Sequence, residues 1–138
     1  MKHISLILFL IYLPVSSFSQ TKTRKVRHDE LDSTKIKSAM ICKHLKPKKD
    51  VDTTIFIGKQ LNRTQISEFA RLWNTATFEK GAYKKTKYII LVYLKDGAKR
   101  EFAAGKWLNE HKNHRFSFND PKFFDRVWKE IKESITNK

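Results

Sequence analysis

The densest mixture of basic and aromatic side chains in this sequence is the stretch 83–88, which reads YKKTKY. Lysine ammonium groups neutralise phosphate or sulfate groups, while aromatic rings stack on bases or sugars. The stretch therefore predicts a surface that binds an anionic partner. A structural interpretation stays open beside it, because lysines that precede a buried strand commonly keep that strand soluble, and Tyr88 itself can belong to the core.

Further basic and aromatic residues follow in the chain and would extend this surface if they share one side of a sheet. They lie on a predicted return strand, on the turn after it and on a predicted outer strand. The complete set of candidate anion-binding residues is Tyr83, Lys84, Lys85, Lys87, Lys99, Arg100, Lys106, Trp107 and Arg115.

Metal-ligating residues come closest to a cluster at His111 and His114, with Glu110 beside them. A structural zinc site takes four ligands and a catalytic one takes three, so this pair is incomplete. Cys42 and His44 would add ligands only if the fold brought them near. Ordinary loop histidines explain the pattern better, and the sequence predicts no metal and no cofactor.

Catalytic patterns are incomplete throughout the sequence. It contains no G-x-S-x-G elbow, its four glycines are isolated, and Glu101 is the only carboxylate on a predicted core strand. We therefore predict no catalytic residues and a non-catalytic binding domain, although an enzyme with a dispersed site stays a third hypothesis.

A β-hairpin should position most of the candidate residues. The apolar run Tyr88–Leu94 predicts a central strand, Asp96-Gly97 a two-residue turn, and Lys99–Ala104 the return strand. With that turn as the tip, the register pairs Tyr93 with Arg100, Leu91 with Phe102 and Ile89 with Ala104.

This register also predicts which face of the sheet is covered. Helices are expected to pack on Ile89, Leu91 and Phe102. A second apolar face would then need cover from the N-terminal segment, a partner or a dimer mate, and it consists of Tyr88, Ile90, Val92 and Leu94. That face motivates an alternative function, a protein–protein module such as an inhibitor or assembly partner.

Two amphipathic helices frame the strands. Asn62 and Gln65 form a capping box before the apolar stripe Ile66, Phe69, Ala70 and Trp73, while Asp120 as N-cap and Pro121 at N1 open the last helix. Strands are predicted at 53–57 and, as an outer strand, at 114–118, whereas residues 35–43 fit a helical turn or a strand equally well. The order strand, helix, hairpin, strand, helix predicts an α+β fold with a small, mostly antiparallel sheet and both helices on one face.

The first residues have the pattern of a signal peptide. Lys2 supplies positive charge, Ile4–Leu13 form a short apolar run, and Ser17-Phe18-Ser19 places small residues before Gln20. A run of this length is too short for a membrane span, which needs roughly 20 residues. We therefore expect a cleaved signal peptide at 1–19, a basic and partly disordered segment at 20–50, and a single domain at 51–138, with no stable membrane anchor.

The net charge of the chain indicates which partners such a domain would attract. The chain carries 29 Lys and Arg against 14 Asp and Glu, and cleavage would remove only Lys2 and lower the net charge from +15 to +14. A field of this sign attracts an anionic polymer, an envelope surface or an acidic protein. In the periplasm or outside the cell, the protein would not meet chromosomal DNA first, so no specific nucleic acid is predicted. Cys42 is the single cysteine, so an internal disulfide is excluded.

Overall fold

An antiparallel sheet of seven strands organises the computed structural model, which describes residues 28–44, 56–81, 86–110 and 114–136. Its order across the sheet is β2-β1-β4-β5-β6-β7-β3. The strands are β1 (Ile36–His44), β2 (Phe56–Gln60), β3 (Thr77–Glu79), β4 (Tyr88–Leu94), β5 (Lys99–Ala104), β6 (Leu108–Asn109) and β7 (Arg115–Ser117), and the helices are α1 (Arg63–Asn74) and α2 (Phe123–Thr136). The predicted α+β architecture is confirmed.

Both helices bury their apolar stripes in one core on a single face of the sheet. Phe69 and Trp73 of α1 and Phe124 of α2 are fully or almost fully buried there together with Phe102 of β5. The Phe69 ring lies 5.2 Å from the Phe102 ring and 6.0 Å from the Phe124 ring, both in edge-to-face arrangements. These contacts tie the two helices to each other and to the middle of the sheet.

The N-terminus of α1 has the capping box that the sequence predicts. The Asn62 side chain accepts a hydrogen bond from the Gln65 amide (2.8 Å), and the Gln65 side chain accepts one from the Asn62 amide (3.0 Å). Two backbone donors that the helix leaves unpaired are thereby satisfied, which fixes where the helix begins.

Residues 35–43, which fit two kinds of structure, belong mainly to strand β1. A single 3-10 turn at Ser33–Lys35, capped by the Asp32 side chain, leads into it. The strand lies between β2 and β4, and its core-facing Ala39 and Ile41 are fully buried. The fold therefore includes residues 28–44, upstream of the position where the sequence placed the start of the domain. The strand predicted at 53–57 overlaps strand β2, which the structure describes from Phe56 to Gln60. Residues 53–55 lie outside the described part of the chain.

The hairpin register differs by one residue from the predicted one. The loop has three residues, Lys95 to Gly97, because the Leu94 amide donates to the Ala98 carbonyl (2.8 Å) and Gly97 closes the turn with a φ of +90°. A glycine with positive φ at the third position is typical of a three-residue loop with a bulge. The pairs are Tyr93 with Lys99, Val92 with Arg100, Leu91 with Glu101, Ile90 with Phe102 and Tyr88 with Ala104.

The corrected register exchanges the two faces of β4. A shift of one residue moves every side chain to the other side of the sheet. Tyr88, Ile90 and Val92 are buried beneath the helices, so the expectation that this set lacks cover is wrong, and Leu94 packs partly against the same core. Ile89 and Leu91 lie on the opposite face, whereas Phe102 faces the helices as predicted.

Two details at the far end of the sheet also need correction. The strand predicted at 114–118 is β7, but it is internal, and the outer strand beside it is β3, which the sequence did not indicate. Helix α2 begins at Phe123 instead of directly after Asp120, because residues 121 and 122 form a turn closed by the Phe123 amide on the Asp120 carbonyl (3.0 Å).

The loop geometry at Gly97 gives a direct stability prediction. A Cβ atom at this position would meet nothing within 4 Å, so Gly97→Ala introduces backbone strain without a clash. We expect a loss of about 1 kcal/mol in the free energy of unfolding, and a smaller loss for Gly97→Asn, because asparagine tolerates positive φ better. Urea denaturation of the two variants measures this difference, and equal stability of Gly97→Ala and wild type would contradict the three-residue loop.

Candidate functional site

A groove of about 770 Å³ lies between three parts of the fold: the start of strand β4, the turn after β5 and the start of helix α2. We call it the β4–α2 groove. It is lined by Thr86, Lys87, Tyr88, Gly105, Lys106, Trp107, Phe118, Pro121, Lys122, Phe124 and Asp125. Its volume lies in the range of about 300–1,000 Å³ that is usual for small-molecule sites.

Buried aromatic rings form the floor of this groove. Tyr88, Phe118 and Phe124 are all largely inaccessible to solvent. The ring centroids of Phe118 and Phe124 are 5.6 Å apart and those of Tyr88 and Phe124 are 6.5 Å apart. Since these rings also belong to the protein core, packing holds the floor in place.

Tyr88 of the floor forms a hydrogen-bonded trio with Lys87 and Asp125. Oδ1 of Asp125 accepts hydrogen bonds from Nζ of Lys87 (2.6 Å) and from the hydroxyl of Tyr88 (2.7 Å). The bonds from Lys87 and then Tyr88 lower the pKa of Asp125, and the Asp125 bond raises the pKa of Lys87. Burial, followed by the bond to Asp125, raises the pKa of Tyr88. The trio is therefore an ion pair with a neutral phenol at neutral pH.

The ion pair between Arg115 and Glu79 orients Trp107, which lines the groove. Its Nε1 donates to Oε2 of Glu79 (3.0 Å), while Nη2 of Arg115 donates to Oε1 of the same carboxylate (3.1 Å). The Arg115 guanidinium lies 4.6 Å from the Trp107 ring centroid. Gly81 makes room for this arrangement, because a Cβ atom there would collide with the Arg115 guanidinium. Arg115 thus holds the tryptophan, and Glu79 balances its charge.

The structure divides the predicted anion-binding residues into three groups. Lys87, Lys106 and Trp107 line the groove, and Arg115 supports Trp107. Lys99 and Arg100 lie at the start of β5, five and four residues before Ala104, which places them roughly 13–17 Å along the strand from the groove end. Tyr83, Lys84 and Lys85 lie outside the described residues.

Arg100 is occupied by the protein itself. Its guanidinium makes two hydrogen bonds of 2.7 Å each to the Glu110 carboxylate and donates to the backbone carbonyls of Glu30 (3.0 Å) and Asp29 (2.9 Å). These contacts fasten the start of the described chain to the sheet. Lys99 lies on the other face, with its Nζ 6.0 Å from the Tyr93 ring centroid.

Lys122 and Asp125 belong to the groove, although sequence reasoning did not select them. Both follow Pro121 at the start of the last helix, in a basic and aromatic context that resembles the stretch 83–88. That context was a usable signal. What the sequence could not show is that α2 begins beside β4 and the turn after β5.

The residues considered for a metal do not converge within the described ranges. No group of three or more His, Cys, Asp or Glu side chains there has a metal-binding arrangement, and His111 lies outside those ranges. Cys42 is buried, and burial raises the pKa of its thiol.

The sheet face opposite the helices carries partly exposed apolar side chains. We call it the open face, formed by Met40 of β1 with Ile89, Leu91 and Tyr93 of β4 and Ala103 of β5. Gly58 of β2 lies next to it, where a Cβ atom would come within 2.8 Å of the Met40 methyl group. Both described helices pack on the other face, which leaves this one open in the described structure.

The trio at Asp125 predicts how stability depends on pH. A carboxyl whose pKa is lowered by folding stabilises the native state fully above its unfolded-state pKa of about 3.9, and this contribution is lost as the pH falls through the folded-state value. Lys87, whose pKa is raised, contributes fully below its unfolded-state pKa of about 10.4.

Asp125→Asn should therefore lose less stability than wild type between about pH 5 and pH 2, and Tyr88→Phe should lie between them. Urea midpoints measured across this range test the prediction. Parallel pH profiles for wild type and Asp125→Asn would contradict it.

In the part of the chain that the structure covers, no helix has the length and hydropathy that a membrane span requires.

Comparisons with protein-family models, with curated proteins and with solved structures found no match for this chain.

Proposed function

We propose that the protein is an exported, non-catalytic binding domain that uses the β4–α2 groove to hold an anionic partner. The observation that carries this proposal is the meeting of Lys87, Lys106 and Lys122 with Trp107 around one groove. These residues come from three separate parts of the chain, so their meeting is a property of the fold. Ammonium groups beside an aromatic ring are a common arrangement for binding anions.

The charge balance of the groove supports an anionic partner. Asp125 neutralises Lys87, whereas Lys106 and Lys122 are exposed and form no ion pair with any residue that the structure describes. Among the described residues, the two positive charges of Lys106 and Lys122 therefore have no ion-pair partner. The net charge of +15 on the whole chain adds a long-range attraction of the same sign.

The N-terminal sequence supports a location outside the cytoplasm. Its short apolar run after Lys2 and the small residues before Gln20 have the order of a cleaved signal peptide. The partners available there are anionic polymers, envelope surfaces and acidic proteins. The proposed function is therefore the capture of an anionic envelope component without chemical conversion.

Binding to heparin, a single-stranded oligonucleotide and anionic lipid vesicles, measured across salt concentrations, tests this function. We expect binding to at least one of them, and we expect it to weaken as salt rises because the contact is ionic. Lys106→Gln/Lys122→Gln should weaken that binding about tenfold or more and reduce its salt dependence.

A matched control removes the same charge elsewhere. Lys37 and Lys95 are exposed at the opposite end of β1 and β4, so Lys37→Gln/Lys95→Gln should change affinity less than about twofold. If both double variants weaken binding equally, only net charge matters and the groove is not the site. If no anion binds at low salt, the proposed function is wrong.

The open face favours a second candidate, a protein–protein module. Ile89, Leu91 and Tyr93 form a row of partly exposed apolar side chains along one strand, and such a patch commonly marks an interaction surface. If this face pairs with a second copy, sedimentation should show dimers at high concentration that Leu91→Glu abolishes. A monomer at all concentrations would exclude self-association through this face.

A further inference from the structure

We infer that the β4–α2 groove takes a small amphipathic anion, a molecule with an apolar body and one anionic head group. This inference rests on the proposed function and names the chemical class of its ligand. The apolar floor of the groove supports the apolar body of this ligand. The rim, which is formed by Lys106 and Lys122, supports its anionic head group.

The floor is suited to an apolar body. Tyr88, Phe118 and Phe124 present ring surface, and Pro121 and Gly105 line the groove beside them. The Tyr88 hydroxyl, the one polar atom of these three rings, is already bonded to Asp125. A hydrated sugar or phosphate chain would lose water against such a floor without gaining hydrogen bonds. An acyl chain or an aromatic ring system loses nothing of this kind and gains contact area.

The rim is suited to a single anionic head group. Lys106 follows Gly105 in the turn after β5, and Lys122 follows Pro121 before α2, so each ammonium group is attached next to a residue of the apolar lining. Both lysines line the groove and are exposed to solvent. An ion bound there keeps part of its hydration while its apolar part enters the groove, which is the least costly way to bind an amphiphile.

The dimensions favour a small ligand over a polymer. At about 770 Å³ the groove has the volume of a drug-sized site. Lys99 and Arg100 lie at the far end of β5, and Arg100 is bonded to Glu110, so these two predicted residues do not extend the charge of the groove.

Asp125 adds a diagnostic feature. Its carboxylate lines the groove and opposes an anion, although Lys87 compensates it at 2.6 Å. Removing this charge in Asp125→Asn should release Lys87 and tighten the binding of any anion. A site that selected its ligand by apolar contact alone would not respond in this way.

The test uses the full chain and the anionic dye anilinonaphthalene sulfonate, an aromatic ring system with one sulfonate. We expect one dye molecule to bind per chain with a rise in fluorescence. Dodecanoate and naphthoate then compete, the first representing an acyl chain and the second an aromatic acid. Whichever displaces the dye at lower concentration identifies the source of the apolar body. Dodecanol, which lacks the charge, should compete about tenfold more weakly or worse.

Variants locate the site. Lys106→Gln/Lys122→Gln should weaken dye binding about tenfold, Asp125→Asn should strengthen it, and Lys37→Gln/Lys95→Gln should change it less than about twofold. Gly105→Leu adds a large side chain to the groove lining and reduces its volume, so it should weaken dye binding. A Cβ atom at Gly105 meets backbone no closer than 3.6 Å, so this variant should fold, as its thermal melting curve will verify.

The outcomes distinguish a failure of this inference from a failure of the proposed function. If heparin or vesicles bind through Lys106 and Lys122 while the dye and both acids do not, the ligand class is wrong and the proposed function stands. If dodecanol competes as well as dodecanoate, the anionic head group plays no part and the inference is overturned. If no anion of either kind binds, both proposals fail together.

Discussion

Trp73→Ala should lower the free energy of unfolding by about 3–5 kcal/mol, the largest loss we expect from a core substitution in this chain. Trp73 is fully buried (0% exposed) at the centre of the contact between α1 and the sheet. Its ring centroid lies 4.9 Å from that of Phe102 and 5.2 Å from that of Phe116. Its Nε1 also donates to the Asp29 carbonyl at 2.7 Å. Truncation therefore opens a cavity and removes one of two donors to the Asp29 carbonyl, which keeps its bond from Arg100 Nη2.

Two variants separate these contributions. Trp73→Phe keeps most of the ring contacts and removes the donor, so it should cost less than alanine but more than a pure change of volume. Trp128→Ala removes the same atoms from the partly exposed side of α2 and should cost clearly less. Chemical denaturation of the three variants measures the order. Equal losses for Trp73→Ala and Trp128→Ala would contradict the placement of Trp73 at the centre of the core.

The elements that local sequence determines could be predicted well. The capping box at Asn62 and Gln65 and the apolar stripe ending at Trp73 specify α1, and the structure reproduces both. Hydrogen bonds three residues apart and a period of 3.6 residues are local properties, so no distant contact was needed to infer them. The α+β class followed from the order of such elements.

The face of the central strand could not be predicted in the same way. Every residue of Tyr88–Leu94 is apolar, so alternation gives no preference for either side, and the register depended on the turn alone. Asp96-Gly97 is compatible with a loop of two or of three residues. The structure has three, with Gly97 at positive φ, and this single residue decides that Ile90 is buried and Leu91 is not.

The candidate site was predicted in part for a similar reason. Residue types pointed to Lys87, Lys106 and Trp107, which do line one groove. Lys122 was missed because its position depends on how α2 meets the sheet, a contact between residues far apart in sequence. Arg100 was selected for its charge, but the charge is used inside the fold, where Glu110 and two backbone carbonyls bind it.

Arg100→Met should cost about 3–5 kcal/mol in stability and leave anion binding unchanged. The side chains of Arg100 and Glu110 are only 14% and 15% exposed, so removal of the guanidinium leaves a largely buried carboxylate without its partner. The Glu30 carbonyl loses its bond from Arg100, the Asp29 carbonyl keeps only its bond from Trp73 Nε1, and the chain before β1 loses its attachment to β5. Methionine keeps most of the apolar stem, so the loss reports the charge and its hydrogen bonds.

A double-mutant cycle isolates the pair. Arg100→Met/Glu110→Leu should be less destabilised than the two single variants together, because it leaves no buried charge unpaired. Arg126→Met is the matched surface control, since Arg126 bonds Asp120 at the similar distance of 2.6 Å but is 46% exposed. Its loss should be about 0–1 kcal/mol. Urea denaturation compares all four variants, and titration with heparin and the anionic dye checks that Arg100→Met binds like wild type. If Arg100→Met were as stable as Arg126→Met, or if it weakened anion binding, the arginine would belong to a binding surface. The chain before β1 would then be attached to the sheet by other contacts.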